Sequence, residues 1–277
     1  MKRRTLAVPT LIWFLTFVFV PLLIVFAVSL AARETYGGFR WSFVFENYQK
    51  SLYDTYLKIL LSSVWLASIT TLGCAMLGTL MAWAMATAKP SMRYFYVCAV
   101  ALPFLTNLII RVYAIRLFVG YEGPLQSLLS SLGFVFDPYS FSQNQFLVFY
   151  GMITTYLPFM VLPLYGAFEK FDFSLIEAAQ DLGAGPWEIL FSVILPNLKK
   201  ALLSGSLLVF IPCLGEYVIP DLLGGAKNML FGNMIAEKFL KSRDWPMGSA
   251  LSIILILILI FVTFVFSRIQ KGKKNAR

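Results

Sequence analysis

The chain contains no histidine, and its 3 cysteines, Cys74, Cys98 and Cys213, all fall in apolar stretches without paired spacing. Neither a zinc site nor a disulfide framework is expected from such a set. The cysteines read as small buried hydrophobes, and no metal ligands are expected. Charge is scarce, at 13% of residues against 59% hydrophobic. That balance places the chain among membrane proteins. No phosphate-binding loop is present, since Gly224-Gly225-Ala226-Lys227 lacks both the spacing and the following Ser or Thr. Nothing resembles a catalytic triad or a carboxylate pair placed for hydrolysis, so the chain does not read as an enzyme and binds no cofactor of its own. No internal repeat is evident. No basic groove with interleaved exposed aromatics lies outside the apolar stretches, which excludes nucleic acid as a partner.

What the chain has in quantity is long apolar runs. Six stretches, near 8–31, 60–88, 94–118, 146–168, 201–220 and 248–267, are long enough to cross a hydrocarbon layer of about 30 Å at about 1.5 Å per residue. One domain over 1–277 is the economical reading. The first stretch follows Lys2, Arg3 and Arg4 and ends near Ser29-Leu30-Ala31, as a secretory leader would. It is too long for one and carries Pro21, so an uncleaved anchor is expected. With both termini, the 89–93 turn and the 169–200 loop on one side, that side carries 13 cations against 5 acids, and the other 10 against 9. The cation-rich side is expected to be cytosolic. The fold class is therefore an all-α integral membrane protein with six transmembrane helices and both termini cytosolic, in contact with membrane lipid.

Between spans, Phe45 to Leu60 reads as an interfacial amphipathic helix. Leu125 to Leu132 reads as a short helix stopped by Gly133. The last span, Leu251 to Phe266, is apolar on every face and reads as a peripheral anchor. The 169–200 loop reads as an ordered hairpin. Ser174 and Glu177 make a capping box that starts a helix at Leu175, and Gly183 offers it a left-handed stop. Gly185 turns the chain and Pro186 opens a second helix, which Pro196 kinks or ends. Glu177 and Asp181, four apart, share one face. Ala178 and Ala179 leave room for another surface to approach.

Polar side chains inside a span cost about 2.5–3.5 kcal/mol at mid-depth, so each is a functional candidate. Counted from Ala201, Glu216 lies about 23 Å along its span, flanked by Pro212, Gly215 and Pro220. A broken helix there would free carbonyls toward a cavity; alternatively Glu216 snorkels or pairs with an arginine. Asp221 falls near the outer boundary. In the third span Asn107 and Arg111 share a face with Phe104. Arg111 lies about 26 Å and Arg116 about 33 Å from Tyr94, both within snorkelling reach. Pairing of Arg111 with Glu216 is one arrangement. Pro158 and Pro163 suggest a kink in the fourth span. Tyr113 and Tyr156 are candidates to hold a cation by their ring faces.

Glu177-Ala178-Ala179, Gly183 after three residues, and Val193, Leu195 and Pro196 after nine more form a spaced pattern. It resembles the EAA loop of ABC-importer permease subunits, with Val193 where the family usually has Ile. The resemblance implies a type I importer permease fold. It implies that Glu177, Ala178, Ala179, Asp181, Gly183, Leu195 and Pro196 form a coupling helix seated in a cleft of an ATPase subunit. The implied partners are a second permease subunit, two ATP-binding subunits that use ATP and Mg, and a periplasmic or lipid-anchored substrate-binding protein, at the bacterial inner membrane. Pro220-Asp221-Leu222-Leu223-Gly224-Gly225, Gly232-Asn233 and Arg243-Asp244-Trp245-Pro246 are similar to the spermidine/putrescine permease subgroup, most like the B-type of its two permeases. Pro103, Asn107, Leu108, Ile109, Arg111 and Leu157-Pro158-Phe159-Met160 fit it too. The implied cargo is a linear polyamine, for which Glu216, Tyr217 and Asp221 would supply carboxylates and a ring. Two alternatives stand beside it. One is an ABC permease for an iron complex or inorganic anion, with Arg111 and Arg116 as ligands. The other is an ion-coupled secondary transporter.

Overall fold

The computed structural model describes residues 2–120, 123–133, 144–225 and 229–271. The part of the 119–145 segment at 121–122 and 134–143, with Ala226, Lys227, Lys273, Lys274 and Arg277, lies outside them. The elements in chain order are α1 (Val8–Ser29), a two-stranded hairpin of β1 (Ala32–Arg33) and β2 (Phe39–Arg40), α2 (Glu46–Ser51), α3 (Asp54–Thr87), α4 (Pro90–Leu105), α5 (Leu108–Val119) and α6 (Pro124–Ser131). They continue with α7 (Gln145–Phe168), α8 (Ser174–Asp181), α9 (Pro186–Gly215), a wide helical turn at Pro220–Gly224, α10 (Phe231–Leu240) and α11 (Trp245–Lys271). Among the described residues, five helices are long and apolar enough to cross a membrane, or six if α4 with the following helices counts as one broken span.

The chain divides into two compact units, and each has its own logic. The first takes residues 1–61 and 230–262. Here the end of α1 leaves carbonyls unpaired, and Asn47 Nδ2 donates to Ser29 O at 3.0 Å and Ala31 O at 2.9 Å. The β1–β2 turn needs positive φ, which Gly37 and Gly38 supply at 96° and 91°. Asp244 works twice: its carboxylate faces Arg33 at 3.5 Å and accepts the Met247 N–H at the start of α11.

The second unit takes residues 62–229 and 263–277 and is built around α7. In α7, 61% of the most apolar stretch is buried, against 6% in α1 and 17% in α11. Helices that lack a water-driven hydrophobic force between them gain by close approach at small residues. Met160 of α7, fully buried, sits against two such positions. A Cβ added at Gly78 of α3 would lie 2.7 Å from Met160 Cγ, and one at Gly205 of α9 would lie 2.8 Å from Met160 Sδ. Gly151 receives Leu223 and Ile219 in the same way. α7 runs uninterrupted through Pro158 and Pro163.

Several expectations change. The third span is not one rod: Thr106 and Asn107 are extended, with ψ of 149° and 128°, and Asn107 Oδ1 accepts the Ile109 N–H to start α5. Depths counted along a straight helix therefore do not hold for Arg111 and Arg116. Pro196 neither ends nor separates the fifth span. The Leu195 N–H reaches back to Leu190 O in a π-type turn at Leu190–Ile194, and the helix continues. That helix stops at Gly215, so Glu216 lies beyond it rather than inside. In place of one interfacial helix over 45–60, α2 is short and α3 already starts at Asp54. Cys74 and Cys213 are buried as expected, but Cys98 is exposed.

Because Met160 is shared, it can retreat from one new methyl only toward the other glycine. Gly78→Ala and Gly205→Ala are expected to cost about 1–3 kcal/mol each. The double variant is expected to lose more than the sum. Thermal unfolding of the detergent-purified chain measures this, and strictly additive losses would show that Met160 is not the shared contact.

Candidate functional site

The polar loop after α7 is an ordered hairpin held from its first residues. Phe168, Phe171 and Phe173 form an edge-to-face chain with Trp83 of α3, with ring centroids 5.4–6.2 Å apart. Such pairs are each worth about 0.5–1.5 kcal/mol beyond burial. Asp172 between two of these rings caps α8: its Oδ1 accepts the Ser174 N–H at 3.1 Å and the Ser174 hydroxyl at 2.7 Å. The Ser174–Glu177 capping box does not form, because Ser174 is itself the first helical residue and spends its hydroxyl on Asp172.

The far end of α8 closes as the sequence suggests. Gly183 has φ 83°, its N–H donates to Gln180 O at 2.8 Å, and the Ala184 N–H donates to Ala179 O at 3.0 Å. This is the Schellman arrangement, in which a left-handed residue lets two late carbonyls be paired. Gly185 is extended and Pro186 opens α9 without wasting a donor. Glu177, Ala178 and Asp181 face outward, while Ala179 is half-buried toward the start of α9. Leu195 is half-buried and Pro196 exposed along the same helix. Leu182 is 89% exposed and Trp187 is 72% exposed. Beside them lies a cleft of about 240 Å³ lined by Ala179, Leu182, Gly183, Ala184, Glu188 and Ile189. A short, doubly capped helix that presents a bare leucine beside a cleft has the form of a docking element.

A second cluster surrounds the end of α9. Glu216 is extended, at ψ 133°, and only 8% exposed. Its Oε1 accepts the backbone N–H groups of Tyr217 at 3.0 Å, Val218 at 2.8 Å and Ile219 at 3.4 Å. The buried Tyr156 phenol of α7 donates to its Oε2. The carboxylate thus takes the N–H groups at the start of the turn that follows the break. Arg111 forms no ion pair with Glu216. It lies within electrostatic reach of the Tyr156 phenol, and its Nε and Nη1 are buried without an acceptor. Asn107 caps α5, while Tyr113, Tyr217 and Asp221 are exposed. The fold thus joins Glu216 to Tyr156 directly and sets Arg111 near them. Nearby, a cavity of about 370 Å³ opens among Met85, Tyr96, Val100, Pro103, Leu157 and Pro158.

The sequence reading missed Asp172 and the four-ring anchor. The Phe171-Asp172-Phe173 triplet ahead of a Ser was the available signal.

A sequence model of the family described as "Binding-protein-dependent transport system inner membrane component" matches residues 74–272. The spermidine/putrescine transport system permease protein PotB of Haemophilus influenzae is 38% identical over 259 residues, which cover 94% of this chain and 91% of PotB. PotB of Escherichia coli is 36% identical over 259 residues, covering 94% of each chain. A chain in the crystal structure of a bacterial alginate ABC transporter, in complex with alginate pentasaccharide-bound periplasmic protein, superposes with a TM-score of 0.75 over 100% of this chain and 95% of its own. At 16% identity that likeness concerns the fold alone.

Two consequences of the hairpin's construction can be measured by hydrogen exchange. A side chain at Gly183 would sit in open space yet in a left-handed backbone. Gly183→Val is therefore expected to cost about 1–2 kcal/mol, with roughly tenfold faster exchange at residues 183 and 184, and Gly183→Asn much less. Exchange unchanged in the valine variant would deny the strain. The Ser174 hydroxyl, then its N–H, hold the Asp172 carboxyl below its ordinary range. A lowered folded pKa means that the cap contributes above the unfolded pKa and is lost as pH falls through the folded one. Protection of the first turn of α8 is expected to fall in acid, and Asp172→Asn to remove that dependence.

Proposed function

The chain belongs to the family of binding-protein-dependent transport system inner membrane components, and on that premise we propose how its geometry moves cargo. It is a multi-pass inner-membrane protein and a transmembrane permease subunit of an ABC importer. The finer reading is that it pairs with a second permease. Two ATP-binding subunits hold and hydrolyse ATP with Mg, a binding protein delivers cargo, and this chain performs no catalysis. In this reading the whole chain, 1–277, works as one permease domain with both termini in the cytosol.

The observation that carries the mechanism is the direct connection of the capped hairpin to α9. α8 is capped at both ends, Gly185 and Pro186 lead directly into α9, and α9 continues for 30 residues. That is about 45 Å of helix. Glu177, Ala178, Ala179, Asp181 and Gly183, with Leu195 and Pro196 behind them, form the surface that docks on an ATP-binding subunit. Leu182 supplies an apolar anchor. Closure of the ATP-binding pair displaces the hairpin, and α9 carries the displacement to the break at Gly215–Glu216. Exposed Tyr113, Tyr217 and Asp221 edge the pathway there, with Asn107, Arg111, Tyr156 and Glu216 around them.

Linear polyamine is the proposed cargo. It rests on the identity to PotB over nearly the whole chain and on the exposed ring and carboxylate at Tyr217 and Asp221, which suit ammonium groups. One observation favours a second reading, an inorganic anion or iron complex: Arg111 holds two buried donors without an acceptor.

Reconstitution of the complete complex in vesicles tests these points. ATP-dependent uptake of labelled spermidine is expected, competed by putrescine and not by molybdate. The opposite competition would establish the anion reading, and uptake without the ATP-binding subunits would overturn the coupling scheme. Gly183→Trp is expected to lower uptake at least about tenfold while ATP hydrolysis persists. Uptake unchanged in that variant would remove the hairpin from the mechanism.

A further inference from the structure

The opening turn of any helix leaves its first four backbone N–H groups without partners in the helix. After the break that follows α9, the first backbone bond of the new turn runs from the Asp221 N–H to Tyr217 O at 3.1 Å. The residues ahead of it are Tyr217, Val218, Ile219 and Pro220. Pro220 has no N–H. The other three donors all go to one oxygen, Glu216 Oε1. The second oxygen takes the Tyr156 phenol. An ionised carboxylate offers about four lone-pair sites, two on each oxygen; three donors crowd onto Oε1 and the phenol takes one site of Oε2. With Glu216 only 8% exposed and both oxygens already engaged, little of the carboxylate is open to an ammonium group.

We propose that Glu216 is a positioning residue that seats the joint between α9 and the Pro220–Gly224 turn, rather than a ligand for cationic cargo. It acts through the backbone it caps and through Tyr156. The carboxylate holds the chain extended at Glu216 and ties the far end of α9 to α7. The turn beyond it is wedged against α7 as well, because Leu223 and Ile219 fill the space where Gly151 lacks a side chain. α9 thus delivers the hairpin's displacement to a joint with one seated geometry, and the ammonium-binding carboxylate of this region is the exposed Asp221. This rests on the permease reading and refines which acid does what within it.

The acceptor count sets the experiment. Glu216→Gln keeps an amide oxygen for the three N–H groups and an amide nitrogen that the Tyr156 oxygen can accept from, but removes the charge. Glu216→Ala removes both. Hydrogen exchange at residues 217–219 is read in the purified chain in nanodiscs, and uptake in the complete reconstituted complex. Glu216→Gln is expected to keep amide protection, maximal uptake rate and the spermidine-to-putrescine ratio within about twofold. Glu216→Ala is expected to expose the amides and to lower the maximal rate at least about tenfold, without altering that ratio. Tyr156→Phe leaves one buried oxygen unpaired and should fall between them. A Glu216→Gln variant that keeps its amides protected but shifts the ratio toward putrescine would overturn the proposal, since it would reveal charge contact with cargo. So would a Glu216→Ala variant with unaltered protection and rate. The exchange readout needs no cargo, so failure of the parent complex to transport polyamine would count against the cargo reading alone.

Discussion

A buried helix end must pair its own backbone groups, because nothing around it can take the place of water. The second unit of this protein depends on how that requirement is met after Gly215. Three N–H groups converge on one carboxylate oxygen, a proline stands where a fourth donor would have been, and a phenol from α7 closes the other oxygen. Leaving such groups unmet costs about 1–3 kcal/mol each, more for a charge. Glu216 is tolerated in a buried place because its charge is shared among these donors. The fold can therefore break a long helix at a chosen residue without leaving the N–H groups of the next turn unpaired.

The same unit is held by shape more than by specific bonds. Gly78 and Gly205 admit Met160, and Gly151 admits Leu223 and Ile219, so that α3, α7, α9 and the following turn pack at close range. Tight packing of this sort does not deform by small continuous degrees. In the proposed mechanism a displacement at the hairpin is therefore carried by α9 as a whole. The four-ring cluster of Trp83, Phe168, Phe171 and Phe173 anchors the hairpin's entry, and Gly183 and Gly185 shape its exit. In the proposed mechanism the hairpin receives the displacement, and the Glu216 joint takes it up at the far end of the same helix.

The apolar runs and the hairpin could be read from the chain itself. Long runs of leucine, isoleucine and phenylalanine declare helices through local composition, and Gly183, Gly185 and Pro186 act through backbone geometry that neighbours barely influence. Pro196 misled, and Asn107 has a local role that its residue type does not announce. A proline reads as a stop and a polar residue in an apolar run reads as a site, yet both can serve the backbone locally. Pro196 is absorbed by a π-type turn at Leu190–Ile194, and Asn107 caps the helix that begins after it. Ser174 failed as a cap because it is itself the first helical residue and its hydroxyl is spent on Asp172, two residues earlier. The aromatic anchor escaped notice because Trp83 and Phe173 are far apart in the chain.

By itself the sequence determined the class of protein, the number and rough position of its apolar runs, and the turn chemistry of the hairpin, because each follows from residues adjacent in the chain. Only the tertiary structure decided what Glu216 does. A carboxylate between two prolines is equally compatible with holding cargo, pairing with Arg111 or capping a helix. The choice is made by where α7 places the Tyr156 phenol, 60 residues away, and by which backbone donors the break turns inward. Side-chain roles in a membrane interior depend on which partners arrive from other helices, and local spacing does not encode that meeting.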